Sequence, residues 1–192
     1  MPQPPDDGIV VVMTVDEYFS EPETLRRREL VWGVVREPPS PYAAHQGVAT
    51  ALAARLYAHV LEHDLGTVLV SPMDVVLDEE RALVVQPDVM FISRERGAIV
   101  RDFVRGAPDL VVEVASPGTY VYDRNEKVRW YGQYGVRECW LVDPQGSVLT
   151  VIALPAQSGV AWTTFARGDR VRSAVLPALA HTVADLLGPR IG

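Results

Sequence analysis

Three side chains of this sequence could act together on a phosphate ester: the carboxylates of Asp88 and Glu113 and the amine of Lys127. Glu113 lies inside the apolar run 110–115, where a charge is costly to bury unless it is paired or binds a metal. Asp88 follows a proline, which cannot donate to a β-ladder, so Asp88 is expected at a strand start or bulge that aims its side chain at a site. Lys127 is the only lysine among 18 basic residues. A buried acid followed by a unique lysine indicates a functional site.

Two carboxylates that converge from adjacent strands suit a hard divalent cation, Mg²⁺ or Mn²⁺, completed by waters and a substrate phosphate. Such an ion polarises a phosphoryl oxygen and generates hydroxide, and a nearby lysine can orient the water or stabilise the charge on the phosphate. Each residue also has a structural interpretation. Asp88 could be a turn aspartate after its proline, and Glu113 could form a buried salt bridge with Lys127 or an arginine.

The remaining chemistry-bearing residues argue against other classes of enzyme. Glycine-rich phosphate loops and a Gly-x-Ser-x-Gly elbow are absent from the sequence, and the lone Cys139 is expected to be a small buried residue. The net charge of −7 argues against non-specific coating of nucleic acid, but it is compatible with an enzyme that meets phosphate at a local site. Arginines do cluster, as at residues 26–28, although a solvated surface is the simpler interpretation of any one cluster.

The periodicity of the sequence predicts an α+β protein, in which a mixed β-sheet is flanked by helices. We expect one domain, residues 1–192, with residues 1–13 as a loose N-terminal arm. A single cysteine, no signal peptide and no membrane-spanning apolar run lead us to expect a cytoplasmic protein with no membrane partner. We expect a short helix that starts at Thr14, a long helix over Ala43–Glu62 that ends at Gly66, a helix that ends at Gly135, and a short helix that starts at Thr182. We also expect one hairpin that turns at Gly33 and a second over 138–154. The other expected strands are 67–71, 74–77, 83–92 with a break at Pro87-Asp88, 110–115, Ala161–Phe165 and 170–175.

Residues 108–144, PDLVVEVASPGTYVYDRNEKVRWYGQYGVRECWLVDP, closely resemble the Uma2 family (DUF820). Three upstream pieces agree with this resemblance: RELVWGVVRE resembles the ELxDGxL hairpin of the family, PPSPYAAHQ its SPxxxH helix start, and QPDV its PD strand. The family is described as putative restriction endonucleases. The resemblance therefore implies an α/β nuclease-like chain with a restriction-endonuclease-like PD-(D/E)XK core.

The resemblance also implies roles for individual residues. Asp88 matches the acid of the PD motif and Glu113 the acid of the second half-motif, and both are expected to bind metal. The lysine expected two residues after Glu113 is replaced by Ala115, and Lys127 on the following helix matches the relocated lysine.

Four residues are implied in auxiliary roles. Glu29 matches the hairpin acid, as an extra ligand or a structural partner, and His45 could supplement the metal ligands or simply lie in the first turn of its helix. Ser116 and Asp123 are expected to shape the turn and cap the helix.

Two functions follow as hypotheses. The first is a Mg²⁺- or Mn²⁺-dependent endonuclease that hydrolyses DNA, with Asp88, Glu113 and Lys127 as its catalytic residues. The second is a non-catalytic interaction domain of the same fold that forms a homo-oligomer, such as a homodimer. The acidic balance favours the second hypothesis, whereas the retained acid–acid–lysine set favours the first.

Overall fold

The computed structural model describes residues 12–22, 24, 26–115, 123–145, 147–154 and 159–189, without the side chains of residues 123 and 124. Most of the expected N-terminal arm lies outside these residues. The helices are α1 (Val15–Ser20), α2 (Ala43–Glu62), α3 (Val128–Tyr134), which continues a π-helical turn over Asp123–Lys127, and α4 (Val183–Leu187), with a 3₁₀ helix at Arg94–Ile99. The strands are β1 (Glu29–Val31), β2 (Val34–Arg36), β3 (Gly66–Val70), β4 (Val75–Asp78), β5 (Leu83–Val85), β6 (Val89–Ser93), β7 (Val104–Arg105), β8 (Leu110–Val114), β9 (Glu138–Asp143), β10 (Val148–Ala153) and β11 (Ala161–Phe165).

The strands divide between two mixed sheets. The larger has the order β11-β10-β9-β8-β6-β3 and the smaller β2-β1-β5-β4-β7. Pairing is parallel between β8 and β9 and between β4 and β7, and it is antiparallel elsewhere. The α+β class with mixed sheets flanked by helices is thus confirmed, with two sheets where the sequence indicated one. The break at Pro87-Asp88 marks the point where the chain passes from β5 in the smaller sheet to β6 in the larger.

The larger sheet is buried on both faces. The apolar stripe of α2, which includes Val48, Leu52 and Leu56, packs against one face, and burying each such side chain contributes about 1.5–3 kcal/mol. The smaller sheet and α3 pack against the other face, where Trp130 and Tyr131 are fully buried. On the outer side of the smaller sheet, α1 adds a third apolar cluster. This layering encloses the ends of β6 and β8.

Several local predictions are confirmed. Thr14 and Thr182 each cap a helix with a complete capping box, and Gly135 ends α3 in the left-handed region. The β1–β2 hairpin turns at Trp32 and Gly33, both at positive φ. Trp32 replaces the aspartate of the family pattern, and its ring packs edge-on against Trp130 at a centroid distance of 5.6 Å.

Two predictions of secondary structure are wrong, one about the end of a helix and one about a strand. The backbone leaves α2 at His63, and Gly66 begins β3 instead of ending the helix. Residues 170–175, which the structure describes, form no strand. Arg170 makes only an isolated bridge with Thr182. The apolar side chains that suggested a strand, such as Val171, pack irregularly against the α2 side of the core. Among the described residues, no helix is long and apolar enough to cross a membrane.

Candidate active site

Asp88 is fixed to the strand that carries Glu113. It precedes β6, and its backbone N–H donates to the Val112 carbonyl at 3.1 Å. Its Oδ2 accepts a hydrogen bond from the Val114 N–H at 2.7 Å. The carboxylate is therefore held beside Glu113 by the antiparallel pairing of β6 with β8.

Glu113 points into the interior between the two sheets. Its neighbours Val112 and Val114 face α2, so strand alternation directs Glu113 to the opposite face, where it is 2% exposed. Its Oε1 accepts hydrogen bonds from Lys127 Nζ at 3.1 Å and from the Tyr131 hydroxyl at 2.5 Å. These partners offset the cost of burying the carboxylate.

Lys127 is a buried cation shared by two acids. It ends the π-helical turn, is 1% exposed, and places Nζ 2.7 Å from Glu29 Oε1 as well as 3.1 Å from Glu113 Oε1. Tyr131 lies four residues further along the helix, so both side chains reach Glu113 from one face. Burial, and then the charge of Glu113, raise the pKa of Tyr131 well above its usual value, which keeps its hydroxyl protonated as a donor.

Glu29 enters the same network from β1. It is 3% exposed, and its Oε1 also accepts a hydrogen bond from the Gln86 backbone N–H at 3.0 Å. The sequence offered Glu29 as an extra ligand or a structural partner, and in the structure it shares the cation Lys127 with Glu113.

A second cation, Arg27, lies between Asp88 and Glu113. Its Nη1 is 2.8 Å from Asp88 Oδ1, and its Nη2 is 3.7 Å from Glu113 Oε2 and donates to the Gln86 carbonyl. Sequence reasoning treated residues 26–28 only as a basic cluster and missed this contact. The available signal was the position of these arginines directly before the hairpin acid Glu29.

His45 contacts Asp88 from the first turn of α2. Its Nε2 lies 3.3 Å from Asp88 Oδ1, and the residue is 6% exposed. Burial raises the pKa of Asp88, but the hydrogen bond from His45 and the charges of Arg27 and His45 outweigh burial, so the net pKa is below its usual value. Asp88 is consequently ionised at neutral pH.

The site opens to solvent on the side of Asp88. A cleft of about 950 Å³ is lined by Arg27, His45 and Asp88, with residues 38–41 and 70–72 on its walls. Glu113 and Lys127 lie behind this surface, almost fully buried. Of Asp88, Glu113 and Lys127, only Asp88 lines this cleft.

The donor chemistry of the site fits a divalent ion. Asp88 and Glu113 lie near two different nitrogens of one guanidinium, at 2.8 and 3.7 Å, and carboxylates are the ligands that suit Mg²⁺ or Mn²⁺. Within the described part of the chain, no group of three or more His, Cys, Asp or Glu is arranged to hold a metal. Waters and a substrate phosphate would have to complete the coordination.

Two of the auxiliary residues stay as predictions. Ser116 lies outside the described residues, and so does the side chain of Asp123. Of the residues singled out from the sequence, the structure brings together Glu29, His45, Asp88, Glu113 and Lys127.

The two acids lie at the ends of paired strands beneath a cleft, and the fold that positions them is nuclease-like. The solved crystal structure of a "putative nuclease belonging to DUF820" from Anabaena variabilis ATCC 29413 superimposes with a TM-score of 0.74 at 18% identity, covering 91% of this chain and 97% of that chain. Residues 15–184 match the model of Uma2, described as "putative restriction endonuclease", and the chain belongs to that family. The resemblance found in the sequence is thereby confirmed. No curated protein matches the chain.

Proposed function

We propose that this chain is a divalent-metal-dependent nuclease that hydrolyses phosphodiester bonds of DNA. The observation that carries the proposal is that Asp88 and Glu113, on paired strands, both contact a single cationic group. Membership of a family described as "putative restriction endonuclease" supports the reaction class. When bound, Mg²⁺ or Mn²⁺ would stabilise developing negative charge and lower the pKa of the attacking water.

The residues of the chain have distinct proposed roles. Asp88 presents an ionised carboxylate at the floor of the cleft, and Glu113 presents Oε2 toward the same point. Lys127 holds Oε1 of Glu113 and shares its charge with Glu29, so we propose that it acts chiefly as a positioning residue. The sequence led us to expect that Lys127 meets the water or the phosphate directly. That role would require the substrate to reach a residue that is only 1% exposed.

The cleft supports the proposed substrate. Arg27 lines it beside Asp88 and offers a guanidinium to an approaching phosphate, whereas Arg26 is paired with Glu37, which also lines the cleft. A cytoplasmic location, consistent with the buried free thiol of Cys139, is part of the same proposal.

The proposal is tested by titrating Mn²⁺ and Mg²⁺ into wild type, Asp88→Asn and the control Asp64→Asn. Asp64 is an exposed acid at the end of α2, with 75% of its side chain accessible. Calorimetry should show one saturable site in wild type and in Asp64→Asn, and its loss in Asp88→Asn. Cleavage of plasmid and oligonucleotide DNA should follow the same order and stop with a chelator. Equal metal binding by all three proteins would refute the assignment.

One observation favours the second candidate, a non-catalytic interaction domain. Lys127 and Arg27 already pair with the buried acids, so the set can stabilise the fold as an internal ion network. That function predicts no metal effect on the melting temperature and a homo-oligomer, such as a dimer, on a sizing column. A monomer with a saturable metal site would exclude it.

A further inference from the structure

We propose that Arg27 is a built-in competitor of the metal: its guanidinium takes the cation position between Asp88 and Glu113, and it must leave before the ion binds. This inference rests on the proposed function and deepens it by naming a residue that controls access to the site. The contacts that carry it are those of one guanidinium with two carboxylates from paired strands and with the Gln86 carbonyl.

Arg27 is the exchangeable cation of the pair. Its side chain is 20% exposed and lines the cleft, whereas the side chain of Lys127 is 2% exposed and is clamped between Glu29 and Glu113. Arg27 also precedes β1 and so lies outside the strands of both sheets. We propose that its guanidinium turns into the cleft when the ion binds.

Arg27 cannot leave by losing its own proton, because a guanidinium stays charged at every accessible pH. While Asp88 is ionised, as at neutral pH, release of Arg27 therefore depends on another cation. A divalent ion on the same oxygens would lie within a few ångströms of the guanidinium, and the two like charges would repel in a partly buried site. The contact of Arg27 with the acids and the binding of the ion therefore oppose each other, and each weakens the other by the same factor.

The charge balance favours exchange over simple addition. Glu29, Asp88 and Glu113 supply three carboxylates, against the two cationic side chains Lys127 and Arg27. Replacing the single charge of Arg27 with a divalent ion brings this group to neutrality. Removing Arg27 by mutation should leave an excess of negative charge that favours binding of the metal.

The test is calorimetric titration of MnCl₂ into wild type, Arg27→Gln and Arg26→Gln. Arg26 is the matched control, since it is the adjacent arginine, its side chain is 80% exposed, and its partner is Glu37 at 3.5 Å. Losing a charge-assisted contact of this kind corresponds to a change of about tenfold to a hundredfold in an equilibrium constant. Arg27→Gln should therefore bind Mn²⁺ about tenfold to a hundredfold more tightly than wild type, and Arg26→Gln should bind like wild type.

Folding is followed separately by circular dichroism. The increase in melting temperature with Mn²⁺ should be larger for Arg27→Gln than for wild type. If Arg27→Gln does not fold without metal, Arg27→Lys provides the comparison, because a lysine keeps the charge but loses the planar fork. It should bind Mn²⁺ more tightly than wild type.

The outcomes separate this inference from the proposed function. Saturable binding in wild type with equal or weaker binding in the Arg27 variants overturns the competition and leaves the metal-dependent function standing. No saturable Mn²⁺ binding in any of the proteins overturns both. Tighter binding confined to the Arg27 variants supports the competition.

Discussion

Replacing Lys127 with methionine should destabilise the fold severely, because one buried ammonium serves two buried carboxylates. Removing one partner from a buried ion pair costs about 3–5 kcal/mol. Lys127 contacts Glu29 at 2.7 Å and Glu113 at 3.1 Å, so we expect the upper part of that range. A typical domain has a free energy of unfolding of about 5–15 kcal/mol, so this loss is a third or more of the total.

The measurement is guanidinium-induced unfolding followed by circular dichroism. Arg129→Met is the matched control, since it removes a nearby cation whose side chain is 68% exposed and whose partner is Glu126 at 3.2 Å. An exposed pair of this kind contributes less than about 1 kcal/mol. Both proteins lose one positive charge, so the difference between them reports burial and pairing.

A double variant checks the mechanism of the loss. Combining Lys127→Met with Glu113→Gln removes the charge of one of the two acids that lose the lysine, so it should recover part of the stability lost in the single variant. If Lys127→Met loses no more stability than Arg129→Met, the buried network does not stabilise this fold and the reasoning is wrong. The same result would remove the basis for a positioning role of Lys127.

Two further predictions concern other parts of the chain. Burial, followed by the charge of the neighbouring His63, lowers the pKa of His59 from its usual 6.5. The unfolded state therefore binds more protons than the folded state, so the free energy of unfolding falls as the pH drops below about 6.5. His59→Leu should reduce this dependence on pH in urea unfolding measured from about pH 5 to 8, and an unchanged dependence would contradict the prediction. At Gly33, with φ of +80°, an added Cβ would lie 2.0 Å from Val12 Cγ1, so Gly33→Ala should lower the free energy of unfolding by about 1–3 kcal/mol. Gly97→Ala, where a Cβ meets nothing within 4 Å, should change it by less than about 0.5 kcal/mol, and similar losses at both glycines would disprove the steric argument.

Elements that depend on local signals could be read from the sequence. The helical pattern predicted over Ala43–Glu62 coincides with α2, although Gly66 does not end that helix, because a four-residue apolar repeat lies within the segment. The bounds of β11 (Ala161–Phe165) agree with the prediction because the segment is a short β-prone run. The capping boxes at Thr14 and Thr182 are equally local, since each joins residues three positions apart. The strand expected at 170–175 does not form. Its composition suits a strand, but it makes only an isolated bridge and no neighbouring strand pairs with it.

For the candidate site, too, the sequence indicated some features and only the tertiary structure decided others. The sequence alone indicated Asp88, Glu113 and Lys127, because a charge in an apolar run and a unique lysine stand out from their surroundings. Only the tertiary structure decided what each charge meets: Glu29 shares the lysine, and Arg27 lies between the two acids although 61 residues separate it from Asp88. No local pattern records such a contact, because it depends on how two sheets and α3 enclose the ends of β6 and β8. The chain has seventeen arginines, and packing brought Arg27 to Asp88 and Glu113.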